Sequence, residues 1–195
     1  MSAGADSARL AVLLSGGGRT MLNLHAACQR GEIPARVALV IASKECLGAQ
    51  RARDAGLPTI VRPGVIPAEE LLGLLRSHDC GWIVLAGYLK MLRIPAGFEG
   101  RAVNIHPALL PKFGGAGMHG EHVHRAVLAA GETETGCTVH LCDDRYDTGP
   151  IVLQRRCPVL PGDTPETLAA RVFEQETLAY PEALRLLLSG AAKQA

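Results

Sequence analysis

The sequence predicts a doubly wound α/β domain, a mostly parallel sheet with helices on both faces. Short apolar, β-branched runs alternate with helical patterns, and the runs are apolar throughout rather than at every second residue, which is the mark of strands covered on both sides. Leu10-Ala11-Val12-Leu13-Leu14 reads as the first strand, followed by a glycine-rich turn and a helix over 21–29. Residues 37–42 form the second strand and 47–55 its helix, closed by Gly56 at the C-terminal cap. The rhythm continues with a short strand at 59–61, a helix at 68–77, and strands at 82–85 and 102–105. After Ala130 the character changes. Residues 138–141 and 151–154 read as two strands joined by the polar turn 143–150, a β-loop-β addition to the sheet. Thr164 is placed to cap, and Pro165 to open, a long C-terminal helix that Pro181 should kink or divide. In such a fold, ligands are expected beyond the carboxyl ends of the strands.

A chain of 195 residues suits a single domain, 1–195, with residues 1–8 outside the hydrophobic pattern and expected to be flexible. Twenty basic against 19 acidic side chains leave a net charge of +1 with no Lys/Arg run, so nothing here tracks a phosphate backbone and nucleic acid is not an expected partner. Small molecules are. The apolar run at 10–14 is too short for a signal-peptide core or a membrane span, which points to a cytoplasmic protein without a membrane partner. Cys28, Cys46, Cys80, Cys137, Cys142 and Cys157 form no C-x-x-C pair and read as reduced thiols rather than a disulfide framework or a zinc site.

Two segments carry chemistry. Ser15-Gly16-Gly17-Gly18-Arg19-Thr20 joins the first strand to the first helix, where free backbone N–H groups and the helix dipole favour an anion. A dinucleotide fingerprint would need a third glycine where Met21 stands and an acidic residue after Ile41-Ala42-Ser43-Lys44, and a triphosphate loop would need Gly-Lys-Ser/Thr. A lone monophosphate and a simple tight turn both remain open. In Val103-Asn104-Ile105-His106-Pro107, the two-residue period of a strand puts Asn104 and His106 on one face at its carboxyl end. An amide donor and an imidazole suit acyl transfer to an amine, which develops an oxyanion and must move a proton. Taken alone, the segment is better read as a turn-capping asparagine and a structural histidine.

The run Asn104-Ile-His106-Pro107-Ala-Leu-Leu110-Pro111-Lys112-Phe113 resembles the signature of the folate-dependent formyltransferases. Further matches are Leu14-Ser15-Gly16-x-Gly18, the segment 84–92, Gly136-x-Thr138-Val139-His140 followed by Asp147-x-Gly149-Pro150, and Gln175-Glu176-x-x-x-Tyr180-Pro181. The resemblance covers nearly the whole chain and implies the Rossmann-like fold of that family. It implies 10-formyltetrahydrofolate as co-substrate, glycinamide ribonucleotide of purine synthesis as acceptor, no metal, and a monomer or homodimer. It implies that Asn104 holds the formyl oxygen, that His106 stabilises the oxyanion or transfers protons, and that Asp147 orients the histidine and a proton-carrying water. Gly17, Gly18, Arg19, Thr20 and Glu176 fall on the acceptor site. Leu85, Leu89, Lys90, Met91 and Leu92 fall on the folate pocket, with Val139 and the loop of Asp143 and Asp144 taking the pterin. Arg19-Thr20 departs from the Ser-Asn of well-known members, and the glycine-rich loop 113–121 is longer than in many relatives, a candidate flap.

Other readings are weaker. His119, His122 and His124 lie close together, but no H-E-x-x-H pattern supports a metal-dependent hydrolase, and they read as loop and helix-start residues. A formyl-folate hydrolase, or a transferase acting on methionyl-tRNA or an amino-sugar, belongs to the same superfamily. The extra domains expected of the hydrolase and the tRNA enzyme do not fit in 195 residues. A folate-binding or phosphate-sensing module would not need Asn104, His106 and Asp147 together.

Overall fold

The structure is a computed structural model describing residues 7–190. Its strands are β1 (Ala8–Leu14), β2 (Ala35–Ala42), β3 (Thr59–Val61), β4 (Trp82–Leu85), β5 (Ala102–His106), β6 (Glu134–Leu141) and β7 (Ile151–Pro158). Its helices are α1 (Arg19–Gln29), α2 (Leu47–Asp54), α3 (Ala68–Ser77), α4 (Glu121–Ala129) and α5 (Pro165–Leu188). One sheet holds all seven strands in the order β3-β2-β1-β4-β5-β6-β7. The first five strands are parallel, β6 adds antiparallel to β5, and β7 adds antiparallel to β6.

The continuous apolar runs have a direct physical cause. Leu10, Val12 and Leu14 point into one core with Met21 and Leu24 of α1 and Val172 and Tyr180 of α5. The alternate residues Ala11 and Leu13 point into a second core with Leu71 and Leu75 of α3 and Phe98. A strand buried on both faces has no position at which a polar side chain is cheap. The apolar positions Met21, Leu24 and Ala27 recur at helical spacing and form the buried stripe of α1.

Three sequence expectations are corrected. The hairpin β6–β7 runs further than 138–141 and 151–154, because an antiparallel pair at a sheet edge needs only one apolar face and tolerates Glu134 paired with Arg156 on the other. Pro181 does not divide α5. A proline lacks the N–H that would bond the carbonyl of Thr177 one turn earlier, and here the Nδ2 of Asn23 on α1 donates to that carbonyl at 3.0 Å. Of the expected flexible segment 1–8, residues 1–6 lie outside the described residues, whereas Ala8 is already part of β1. No helix among the described residues is long and apolar enough to cross a membrane.

Candidate active site

From β1 the chain winds outward to β2 and β3, and from β4 it winds the other way, so the strand order reverses between β1 and β4. Loops diverge at such a switch point and leave a crevice. A cleft of about 800 Å³ opens there, lined by the glycine loop after β1, residues 86–89 after β4, and Asn104 and His106 at the end of β5. That volume is in the range of small-molecule sites. Ser15 binds the loops together: its N–H donates to the Gly87 carbonyl at 3.0 Å, and its hydroxyl receives the N–H of Leu89 at 2.9 Å and the hydroxyl of Ser43 at 2.7 Å.

The glycine loop enters α1 through Gly18, whose φ of 74° is left-handed and which offers no side-chain cap. The first-turn amides of α1 are therefore left for a ligand. The loop is backed by α2. The N–H of Gly48 donates to the Gly16 carbonyl at 2.9 Å, and Arg51 donates to the Gly17 carbonyl at 2.6 Å. A Cβ on Gly18 would lie 2.6 Å from the Gly48 Cα, and one on Gly48 would lie 2.6 Å from the Gly16 oxygen. Two glycines thus interlock. Gly48→Ala must displace backbone at the upper end of the ~1–3 kcal/mol scale of overpacking, which outweighs the ~1 kcal/mol alanine gains over glycine in a helix. A net loss of about 2 kcal/mol is expected in denaturant titration, and wild-type stability would show that α2 and the loop are not in tight contact.

Arg19 and Glu176 face the same end of the cleft. The Arg19 guanidinium lies over the Phe173 ring, 4.0 Å from its centroid. Burial pushes the Glu176 carboxyl up to about 7, against the pull of Arg19. The fold therefore favours the neutral acid. Its contribution to stability is full below the ordinary carboxylate range and is lost as pH rises through about 7. Glu176→Gln fixes the neutral form, so its unfolding temperature is expected to match wild type near pH ~4 and to exceed it near pH ~8. A wild-type advantage at the higher pH would contradict this.

At the other end, β5 and β6 pair Asn104 with His140 and His106 with Thr138. The His140 Nδ1 contacts the Leu141 carbonyl at 2.9 Å, and a carbonyl only accepts, so Nδ1 carries the hydrogen and Nε2 a lone pair. That lone pair receives Asn104 Nδ2 at 3.1 Å. The other Nδ2 contact, to Asp147 Oδ1, is a long 3.5 Å. His106 is almost fully buried; its Nε2 donates to the Phe113 carbonyl at 2.7 Å, and its Nδ1 lies 3.4 Å from Asp147 Oδ2. Burial holds the His106 pKa below the ordinary histidine value, with Asp147 and the Phe113 carbonyl opposing. Burial pushes the Asp147 carboxyl up, but the neighbouring His140 and His106 imidazoles and the Gly115 N–H at 2.9 Å outweigh it and leave the pKa lowered. The structure thus brings Asn104, His106 and Asp147 together.

The folate residues divide. Leu89 lines the cleft, half exposed. The side chains of Leu85 and Leu92 belong to one core and that of Val139 to the other, which leaves their backbone to face a ligand. Lys90 and Asp144 are exposed and Met91 half-buried, none of them lining this cleft. Asp143 is spent on its own loop, accepting from the Thr148 hydroxyl at 2.8 Å and the Arg145 N–H at 2.9 Å.

Sequence reading missed several contributors. Gly48 and Arg51 shape the anion loop, and a glycine near a helix start was the available signal, since helices disfavour it unless backbone packs closely. His140 sets the orientation of Asn104. His124, set aside as a helix-start residue, is buried in α4 and lines the cleft, and its Nδ1 has no hydrogen-bond partner among the described residues. Among those residues, no group of three or more His, Cys, Asp or Glu side chains is placed to hold a metal ion.

A switch-point cleft with a free helix N-terminus at one end and an Asn-His-Asp cluster at the other defines a group-transfer domain, and the chain belongs to the formyl transferase family, whose profile matches residues 8–184. It is 42% identical over 189 residues to the chloroplastic phosphoribosylglycinamide formyltransferase of Vigna unguiculata, covering 92% of this chain and 60% of that protein. It is 36% identical over 191 residues to phosphoribosylglycinamide formyltransferase of Haemophilus influenzae, covering 93% of this chain and 88% of that protein. The chain therefore spans under two thirds of the plant relative's length but most of the bacterial one's. The solved glycinamide ribonucleotide transformylase 1 of Symbiobacterium toebii superposes with a TM-score of 0.87 at 37% identity, covering 96% of this chain and 90% of that one.

Proposed function

We propose that this chain transfers the formyl group of 10-formyltetrahydrofolate to the amine of glycinamide ribonucleotide in purine biosynthesis. The observation that carries the reading is one cleft with two chemically distinct ends, an uncapped helix N-terminus beside Arg19 and Glu176, and the Asn104, His106 and Asp147 cluster. The names of the relatives support the same substrates. The acceptor phosphate lies on Gly17, Gly18, Arg19 and Thr20. The acceptor nitrogen then attacks the formyl carbon, a C–N bond forms, and the charge growing on the formyl oxygen is met by Asn104 Nδ2, which releases its long contact with Asp147. As the bond to the folate nitrogen breaks, the proton lost by the amine passes to that nitrogen through His106 Nδ1, opposite Asp147. The reaction takes no metal, and the six free cysteines suit a reducing cytoplasm.

A steady-state assay with both substrates, followed for formyl transfer and for formate, tests this. Acceptor-dependent transfer is expected, and formate release independent of acceptor would instead make the chain a hydrolase. Arg19→Ala is expected to raise the KM for the phosphorylated acceptor by about tenfold or more, the scale of one charge-assisted contact, with little change for the folate. Equal weakening of both substrates would move the phosphate away from the glycine loop.

A further inference from the structure

Residues 107–114 carry the carbonyl that receives His106 Nε2, yet they make no backbone hydrogen bond to any other element among the described residues. Such a loop needs another source of order, because fixing each residue costs about 1–2 kcal/mol in backbone entropy. Two side chains of the β6–β7 hairpin supply it. Thr138 is fully buried and sits opposite His106 in the ladder. Its hydroxyl donates to the Ala108 carbonyl at 2.7 Å and accepts the Leu110 N–H at 3.0 Å and Gln154 Nε2 at 2.9 Å. One donor and two acceptors exhaust a hydroxyl. The remaining Nε2 hydrogen of Gln154 goes to the Leu110 carbonyl at 3.0 Å. Both backbone groups of Leu110 are therefore held by side chains.

The geometry points to Thr138 and Gln154 as positioning residues for His106, an inference that rests on the formyl-transfer reading above. By pinning residues 108–110 they fix where the chain delivers the Phe113 carbonyl, three residues on, and the Gly115 N–H, which bonds Asp147. Those two backbone groups set the imidazole and the carboxylate that faces it. With the Phe113 carbonyl in place, Nε2 is committed and Nδ1 is the nitrogen turned to Asp147. Without it Nε2 loses its hydrogen-bond acceptor and the ring can rotate. Gln154 lies on β7, outside the residues lining the cleft, so it acts through His106 rather than on substrate.

The test uses Gln154→Met, which keeps shape and deletes both donated bonds, and Thr138→Val, which deletes the hydroxyl. Each is expected to lower kcat about 10- to 100-fold, the scale of a small misplacement of a reacting group, with both KM values within about twofold of wild type. Thr138→Ser, which keeps the hydroxyl, should recover most of what Thr138→Val loses. In a His106→Ala background Gln154→Met should add no further loss, since residues acting through one group are not additive. Independently of turnover, NMR of the imidazole should show the His106 Nε2 proton exchanging about tenfold faster in Gln154→Met than in wild type. Equal losses in both backgrounds, or wild-type kcat and exchange in Gln154→Met, would overturn the inference. If the wild-type chain transfers no formyl group, the proposed function fails, while the exchange measurement still decides the positioning role. Gln154 is half-buried, so its variant serves even where Thr138→Val does not fold.

Discussion

His106→Ala is expected to lower kcat by about 10²–10⁴-fold, the scale of losing a positioned acid or base, with a smaller change in either KM. The size follows from the commitment of the ring. Nε2 is spent on the Phe113 carbonyl, so proton traffic falls on Nδ1, 3.4 Å from Asp147 Oδ2. Burial lowers the imidazole pKa, so at neutral pH the ring is mostly neutral and able to take a proton, while the lowered-pKa carboxylate of Asp147 stabilises the cation that forms. The sign for activity follows: kcat should hold at neutral pH and fall on the acid side, as His106 becomes protonated below the ordinary histidine range. The variant should also lose that acid limb. Steady-state rates across pH check both, and a kcat within about tenfold of wild type would remove His106 from the reaction.

Much of this was legible in sequence because burial on both faces leaves an unbroken apolar run. Leu10 to Leu14 alone fixes a parallel strand between two cores, β4 follows from the same rule, and α3 shows instead as a helical stripe with Leu71 and Leu75 buried. The ends of β6 and β7 did not, since Glu134, Arg155 and Arg156 are ordinary surface residues whose strand conformation depends on the neighbouring chain. The effect of Pro181 was hidden because its remedy, Asn23, lies 158 positions away in sequence, on α1. In the site, period-two spacing placed Asn104 and His106 together, whereas Asp147 came only from family resemblance, its local sequence being that of any polar turn. Gly48, Thr138 and Gln154 act through backbone approach and buried hydrogen bonds, which residue type does not encode. Leu85, Leu92 and Val139 show the converse limit: an apolar side chain at a strand end looks the same whether it meets a ligand or the core.

Asn104→Ala is expected to lower kcat by about 10²–10³-fold, the cost of removing one donor from an oxyanion site. The argument turns on its two Nδ2 hydrogens. One is committed to the His140 lone pair at 3.1 Å, which aims the amide. The other reaches Asp147 at only 3.5 Å, a contact weak enough to be exchanged for a formyl oxygen as charge builds there. A donor held by one bond and nearly free at the other is already oriented when the transition state forms, so little reorganisation is needed. Asn104→Asp keeps the shape but presents an acceptor to the His140 lone pair, to Asp147 and to the oxyanion at once. It is therefore expected to be at least as impaired as the alanine variant, although it is nearly isosteric. Rates for both variants, with folate affinity measured alongside by equilibrium binding, separate donor loss from displacement of the ligand. An aspartate variant close to wild type in kcat would mean that Asn104 holds the sheet end in shape and that the oxyanion is met by another group.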